Sequence, residues 1–210
     1  MKITLKVLLV AAIGLLIYMC FRSIMSSIEF ESEMKTRETA IKARLIDIRK
    51  AQIEYKNMFG VHAANFDELG KFLKETRLPF VIKEGELTDE QLEKGMTEKE
   101  AIKKGIIKRD TFWVLAKDTL FNPQYNVDSL TLVPVQGINA RFQMDTATLS
   151  SASGYTVKVF ECGVKYDVYL GDLNRQLLIN LKDKANKLSR FDGIRVGSVK
   201  EINNNAGNWE

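Results

Sequence analysis

The residues in this chain that could do chemistry are few, and their spacing is the first constraint on function. His62 is the only histidine. It follows the helix-stopping Gly60 and has no Cys or carboxylate at ligand spacing, so it reads as structural or solvated rather than as a metal ligand or general base. The two cysteines are Cys20, inside an apolar run, and Cys162, inside an alternating β-pattern. Neither belongs to a CxxC, and the basic flank of Cys162 is limited to Lys158 and Lys165, so its thiol is expected to pack rather than attack. With Cys20 in the apolar run, a disulfide between the two is not expected. Ser150, Ser151 and Ser153 with Gly154 make a polar loop, not a G-x-S-x-G elbow. Neither a phosphate-binding loop nor a dinucleotide fingerprint occurs. Carboxylates such as Asp128 and Asp145 could be paired only by the fold, which leaves a hydrolase built on Asp and Glu as the weakest of the readings. No catalytic, cofactor-binding or metal residue is assigned, and no cofactor is expected.

What must be explained instead is the framework. Of 210 residues, 45% are hydrophobic and 28% charged, enough for one membrane segment plus a folded domain of ordinary size. The 31 basic and 27 acidic side chains are interleaved, giving a net charge of +4. No basic footprint for nucleic acid results, and none is expected as a partner.

The chain opens MKITLKVLLVAAIGLLIYMCFRS. From Ile3 to Phe21 the run is broken only by Thr4 and Lys6, and Lys6 can carry its ammonium to the interface. As a helix it covers roughly 28 Å, close to the hydrocarbon thickness of a bilayer. Tyr18 and Arg22 suit the far interface. An uncleaved single span over 1–22, held in lipid by residues 3–21, is the preferred reading; a cleaved signal and lipidation are the alternatives. Cys20 to Ser27 offers no A-x-A-like site, and Met19 stands where a lipoprotein signal wants a small residue. Flanking positive charge is nearly balanced between Lys2 and Lys6 on one side and Arg22, Lys35 and Arg37 on the other. A short basic start ahead of a long domain favours a signal anchor in a bacterial inner membrane, with the C-terminal domain in the periplasm.

Beyond the span, positions 41, 45, 48, 52, 55 and 59 alternate spacings of four and three, one stripe of an amphipathic helix over 23–60. Ile46 and Ile53 widen it enough to face a sheet. Gly60 is a helix stop, and no proline precedes Pro79. One helix from Lys2 to Phe59 is therefore expected, with two helices joined near Ser26-Ser27 as the alternative. Ile41, Leu45, Ile48, Tyr55 and Phe59 are the candidate interaction residues of this helix. Trp209, large and apolar near the end of the chain, is the other; it either docks back onto the domain or anchors a partner.

This order of features resembles the type IV pilin and type II secretion pseudopilin superfamily. There a hydrophobic N-terminal helix runs on into a domain helix that ends in a pattern like A-x-x-x-Y-x-x-x-x-G, followed by an aromatic and a leucine. The matching residues are Ala51, Tyr55, Gly60, Phe66 and Leu69. The resemblance covers roughly the first 73 residues and implies a long helix packed on an antiparallel sheet. The Gly and Glu read by a prepilin peptidase are absent: Gly14 lies inside the run and the first acid is Glu29. As a whole the chain resembles single-span envelope proteins sharing this helix plan, which implies no activity.

For 61–210 the sequence predicts an α+β domain. Asn65 to Glu68 reads as a capping box opening a short helix to about Thr76, closed by Pro79, with a strand over 80–83. A charged helical insertion spans about 86–109, with capping boxes at Thr88–Gln91 and Thr97–Glu100 and stops at Gly95 and Gly105. From Thr111 the pattern is β: TFWVLAKDTLF, SLTLVPV, ARFQMDTATL, YTVKVFECGV, YDVYLGDL and QLLINL, with a hairpin joining 155–162 to 166–170. Helices first and strands after point to a long helix on an antiparallel sheet. The functional expectation is a membrane-anchored, non-catalytic subunit or scaffold of a secretion- or pilus-like envelope assembly, touching other envelope proteins or itself. A tethered ligand-binding module is the alternative, and a tethered hydrolase a weaker one.

Overall fold

The computed structural model describes residues 2–88, 91, 95–150 and 154–210. Residues 89, 90 and 92–94 of the first short helix expected in the charged stretch, and Ser151 and Ser153 of the polar loop, lie outside the described residues. The fold is α+β: one long N-terminal helix and two small antiparallel sheets.

Helix α1 (Lys2–Phe59) is a single unbroken element of 58 residues. No proline or capping residue interrupts it, and Gly60 ends it at φ 72°, with its amide still donating to the Lys56 carbonyl at 2.8 Å. The remainder follows as α2 (Phe66–Glu75), β1 (Arg77–Glu84), α3 (Glu98–Lys103), β2 (Lys108–Leu115), α4 (Ala116–Leu120), a 3-10 turn (Val127–Thr131), β3 (Gln143–Ser150), β4 (Thr156–Lys165), α5 (Tyr166–Leu170), α6 (Arg175–Lys187) and β5 (Gly193–Gly197).

Where the sequence suggested one domain over 61–210, the chain forms two compact units. The first combines the chain up to Phe66 with Asp128–Glu210, and the second is Asp67–Val127. In the second, β1 and β2 pair antiparallel from Arg77↔Leu115 to Glu84↔Lys108, and Leu69, Phe72, Leu73, Ala101, Ile107, Ala116 and Val127 are buried apolar residues among those described. The Thr97 hydroxyl and the Glu100 carboxylate cap each other's backbone at the start of α3, as the spacing predicts. Pro79 does not close α2; it lies inside β1 opposite Trp113.

In the first unit the strands run in the order β3-β4-β5, all antiparallel. The register sets Met144 opposite Cys162 and Cys162 opposite Val196, so Met144, Phe160, Cys162, Val164, Ile194 and Val196 share one face. That face meets α1: the helix packs on β4 and β5, and the Gln52 amide reaches the Met144 sulfur at 3.1 Å. Ile41, Leu45, Ile48, Ala51 and Gln52 are fully buried there.

TFWVLAKDTLF is strand only to Leu115 and then turns into α4, and three strand readings fail altogether. YDVYLGDL and QLLINL form α5 and α6, and SLTLVPV holds the 3-10 turn with only a single bridge, Leu132↔Arg141. The hairpin from 155–162 to 166–170 does not form, because β4 takes β5, far along the chain, as its second neighbour.

Gly197 shows how tight that pairing is. Its φ is 70°, and a Cβ placed there would lie 2.1 Å from the Phe160 carbonyl oxygen. Gly197→Ala is expected to lower unfolding free energy by about 1–3 kcal/mol through backbone strain, read as an earlier denaturant midpoint in detergent. A change within a few tenths of a kcal/mol would show that the β4–β5 end is looser than this contact requires.

Candidate functional site

The chemistry-bearing side chains are dispersed. Cys162 is buried, and burial, reinforced by the charges of Glu161 and Asp145, pushes its thiol well above the ordinary range, so it forms no thiolate at neutral pH. Cys20 is exposed on the apolar part of α1. His62 is buried with its ring 4.8 Å from that of Phe160. Its nitrogens lie near the carbonyls of Gln52 and Lys158, but neither makes a hydrogen bond of good geometry. Desolvation, with the nearby Lys56 charge, lowers its pKa to about 4. Asp145 faces Glu161 across the β3–β4 ladder. Among the described residues no cluster of three or more His, Cys, Asp or Glu could hold a metal ion.

The feature with functional content is the contrast along α1. From Lys6 onward the helix is long and apolar enough to cross a membrane, and its most apolar window is unburied by the rest of the chain. Leu8, Leu9, Leu15, Leu16, Ile17, Phe21 and Ile24 are all exposed. Soluble monomers rarely leave so large a contiguous apolar wall in water. Phe30 is the first buried side chain along the described helix, and beyond it the stripe enters the core.

Where the two halves meet, the corner between α5 and α6 is fastened to α1. Arg37 reaches Asp172 with both terminal nitrogens, at 2.6 and 2.8 Å, and also donates to the Tyr169 carbonyl at 2.7 Å and to Glu33 at 3.2 Å. These bonds hold the guanidinium pKa above its ordinary value and the Asp172 carboxyl below its own, the Arg37–Asp172 hydrogen bonds being the first cause of both. Tyr169 donates to Glu38 at 3.3 Å, and Asn174 donates to Ser26 at 3.0 Å. A planar fork is required, so Arg37→Lys is expected to cost about 1–2 kcal/mol although it keeps the charge. Urea unfolding followed by tryptophan fluorescence measures this, and no change would show the clamp to be dispensable.

Of the candidate interaction residues, Ile41, Leu45 and Ile48 are consumed by the chain's own core and present no surface, because the β4–β5 face is the apolar area within their reach. Tyr55 is half-buried and stacks at a tilt on Phe59, ring centroids 4.7 Å apart; Phe59 stays exposed. Trp209 docks back. Its indole lies over Gly207, where a Cβ would come within 2.5 Å of the ring. The segment carrying it pairs Gly207 with Val196 and is held by Arg49, which donates to Glu210 at 2.7 Å.

The groove beside Trp209, about 660 Å³ and bordered by Tyr166, Lys184, Phe191 and Arg195, has the side chains of Arg195, Glu201, Asn208 and Glu210 committed internally. Arg195 pairs with Glu161 at 2.9 Å and lies over the Phe191 ring, while Asn208 bonds the Arg195 amide and the Gly193 carbonyl. The segment that borders it closes the edge of the sheet through the Val196–Gly207 bridge.

The sequence reading missed the Arg37–Asp172 clamp. The spacing of Glu33 and Arg37 on one helix face was visible, but Asp172 was not. It also did not single out Phe112 and Trp113, which stand exposed side by side in β2 and therefore on opposite faces of the ribbon. No known protein family matches this chain, and neither a curated protein nor a solved structure matches it.

Proposed function

We propose that this chain is a single-span membrane protein of the bacterial inner membrane, its folded units on the periplasmic side. There it serves, without catalysis of its own, as a subunit or scaffold of an envelope assembly of the secretion or pilus type. The observation that carries this reading is the unbroken α1: its first part is apolar and unburied, and its second part is the core of a folded unit. A rod of this construction couples the bilayer rigidly to the sheet, which suits positioning better than turnover. The buried Cys162 and His62 add support, since neither can reach a substrate. Exposed Phe59, Phe112 and Trp113 supply aromatic surface of the kind that protein partners bury.

The test is gentle detergent extraction at native expression, with co-purifying proteins identified by mass spectrometry. Stoichiometric recovery of other envelope proteins is expected. Recovery of the chain alone and monodisperse would overturn the subunit reading and favour an autonomous tethered ligand-binding module.

A further inference from the structure

Height above the bilayer can be counted along α1. The apolar run ends at Phe21, and Ser26 lies five residues further on, roughly 8 Å higher at 1.5 Å per residue. The headgroup layer is itself only roughly 5–8 Å thick on each side. At that height Asn174, the N-cap of α6, donates to Ser26 at 3.0 Å. The first turn of α6 also reaches lower: Asn174, Gln176 and Leu177 line a groove of about 480 Å³ whose other wall includes Tyr18, Met19 and Arg22. Tyr18 and Met19 belong to the apolar run itself.

Charge is sorted by height in the same sense. Arg22 lines the groove and Arg175, exposed, opens α6 beside it; among the described residues neither is in an ion pair. The first acids of the chain, Glu29, Glu31 and Glu33, stand roughly 12–18 Å above Phe21, beyond the headgroups. The positive end of the α6 dipole points to the same level as the two guanidinium groups.

We infer that the corner opening α6 is a foot resting in the phospholipid headgroup layer, with Arg22 and Arg175 taking phosphodiester oxygens. The occupant of the groove is lipid headgroup, continuous with the lipid around the span. The inference rests on the proposed membrane anchoring and adds that the first folded unit sits on the bilayer surface, with no free stalk between them.

The test places an environment-sensitive fluorophore on single cysteines of the full chain in lipid nanodiscs containing phosphatidylglycerol. Cys162 is buried and takes no label. Native Cys20 reports the span; Gln176→Cys and Lys50→Cys, each with Cys20→Ser, report the foot and a point roughly 44 Å beyond Phe21 along α1. Lipids with a nitroxide on the headgroup are expected to remove most of the emission at 176 and little at 50, while acyl-chain nitroxides quench at 20. In the unlabelled protein, Arg22→Gln with Arg175→Gln is expected to lower several-fold the phosphatidylglycerol that stays bound on detergent extraction. Quenching at 176 no greater than at 50, with Cys20 still quenched, would overturn the foot and leave the anchor standing. Unchanged retention of phosphatidylglycerol in the double variant would overturn the role of the arginines. An unquenched Cys20 would remove the anchor, and the foot with it.

Discussion

Leu45→Ala is expected to lower unfolding free energy by about 2–5 kcal/mol, the range for truncating a fully buried leucine. Leu45 has no exposed surface and stands mid-stripe between Ile41 and Ile48 on the face of α1 that meets β4 and β5. Alanine is a slightly better helix former, so the helix itself is not weakened and the loss reports packing. The comparison is Phe59→Ala on the same helix: Phe59 is 52% exposed, and its loss should change stability far less. Urea unfolding of the full chain in detergent, followed by Trp209 fluorescence in a Trp113→Phe background, reads the first unit. If the two variants lose similar stability, the stripe is not the core of that unit.

The second large effect is acid sensitivity. His62 is held neutral by burial and by the charge of Lys56, with a native pKa of about 4. The unfolded imidazole titrates near its ordinary ~6.5. Between these values the unfolded state binds the extra proton, so the His62 contribution lowers stability as pH drops from about 6.5 to 4 and is constant above and below that window. A separation of this size corresponds to about 3 kcal/mol. His62→Leu should abolish the dependence in this window while leaving stability at neutral pH nearly unchanged or improved, because two nitrogens without good hydrogen bonds are removed. Denaturant midpoints at a series of pH values from 7 to 4 decide it. A wild-type chain equally stable at both ends would mean that His62 charges freely in the folded state.

What the sequence made legible was whatever depends on neighbours in the chain. The whole of α1 could be read because its two halves carry different but uninterrupted helical patterns, and Gly60 closes it. Gln52 seemed out of place on an apolar stripe. The structure explains it: its amide exchanges two hydrogen bonds with the Ala63 backbone, at 2.9 and 3.0 Å, and so folds the turn after the helix back onto it. The Thr97–Glu100 cap and strands β3 and β4 are equally local.

Elements defined by distant partners were misread. The alternation of Leu177, Ile179 and Leu181 imitates a strand. Asn174 as N-cap and the spacing of Leu178, Leu181 and Ala185 were the helical signal, and Leu178 and Ala185 are the buried residues of α6. Tyr166–Leu170 also alternates, but β4 had already found its second neighbour in β5. Likewise, Arg37 and Asp172 lie 135 residues apart, and no local pattern announces such a pair.

The central claim is that α1 crosses the membrane and carries its folded units on the outer side of it. Alkaline carbonate washing of isolated membranes, followed by protease treatment of intact spheroplasts and detection by a C-terminal tag, tests both halves at once. The account predicts that the chain stays in the washed membrane and that the tag is lost from intact spheroplasts. Release by carbonate, or a tag that survives until the membrane is broken, would contradict it.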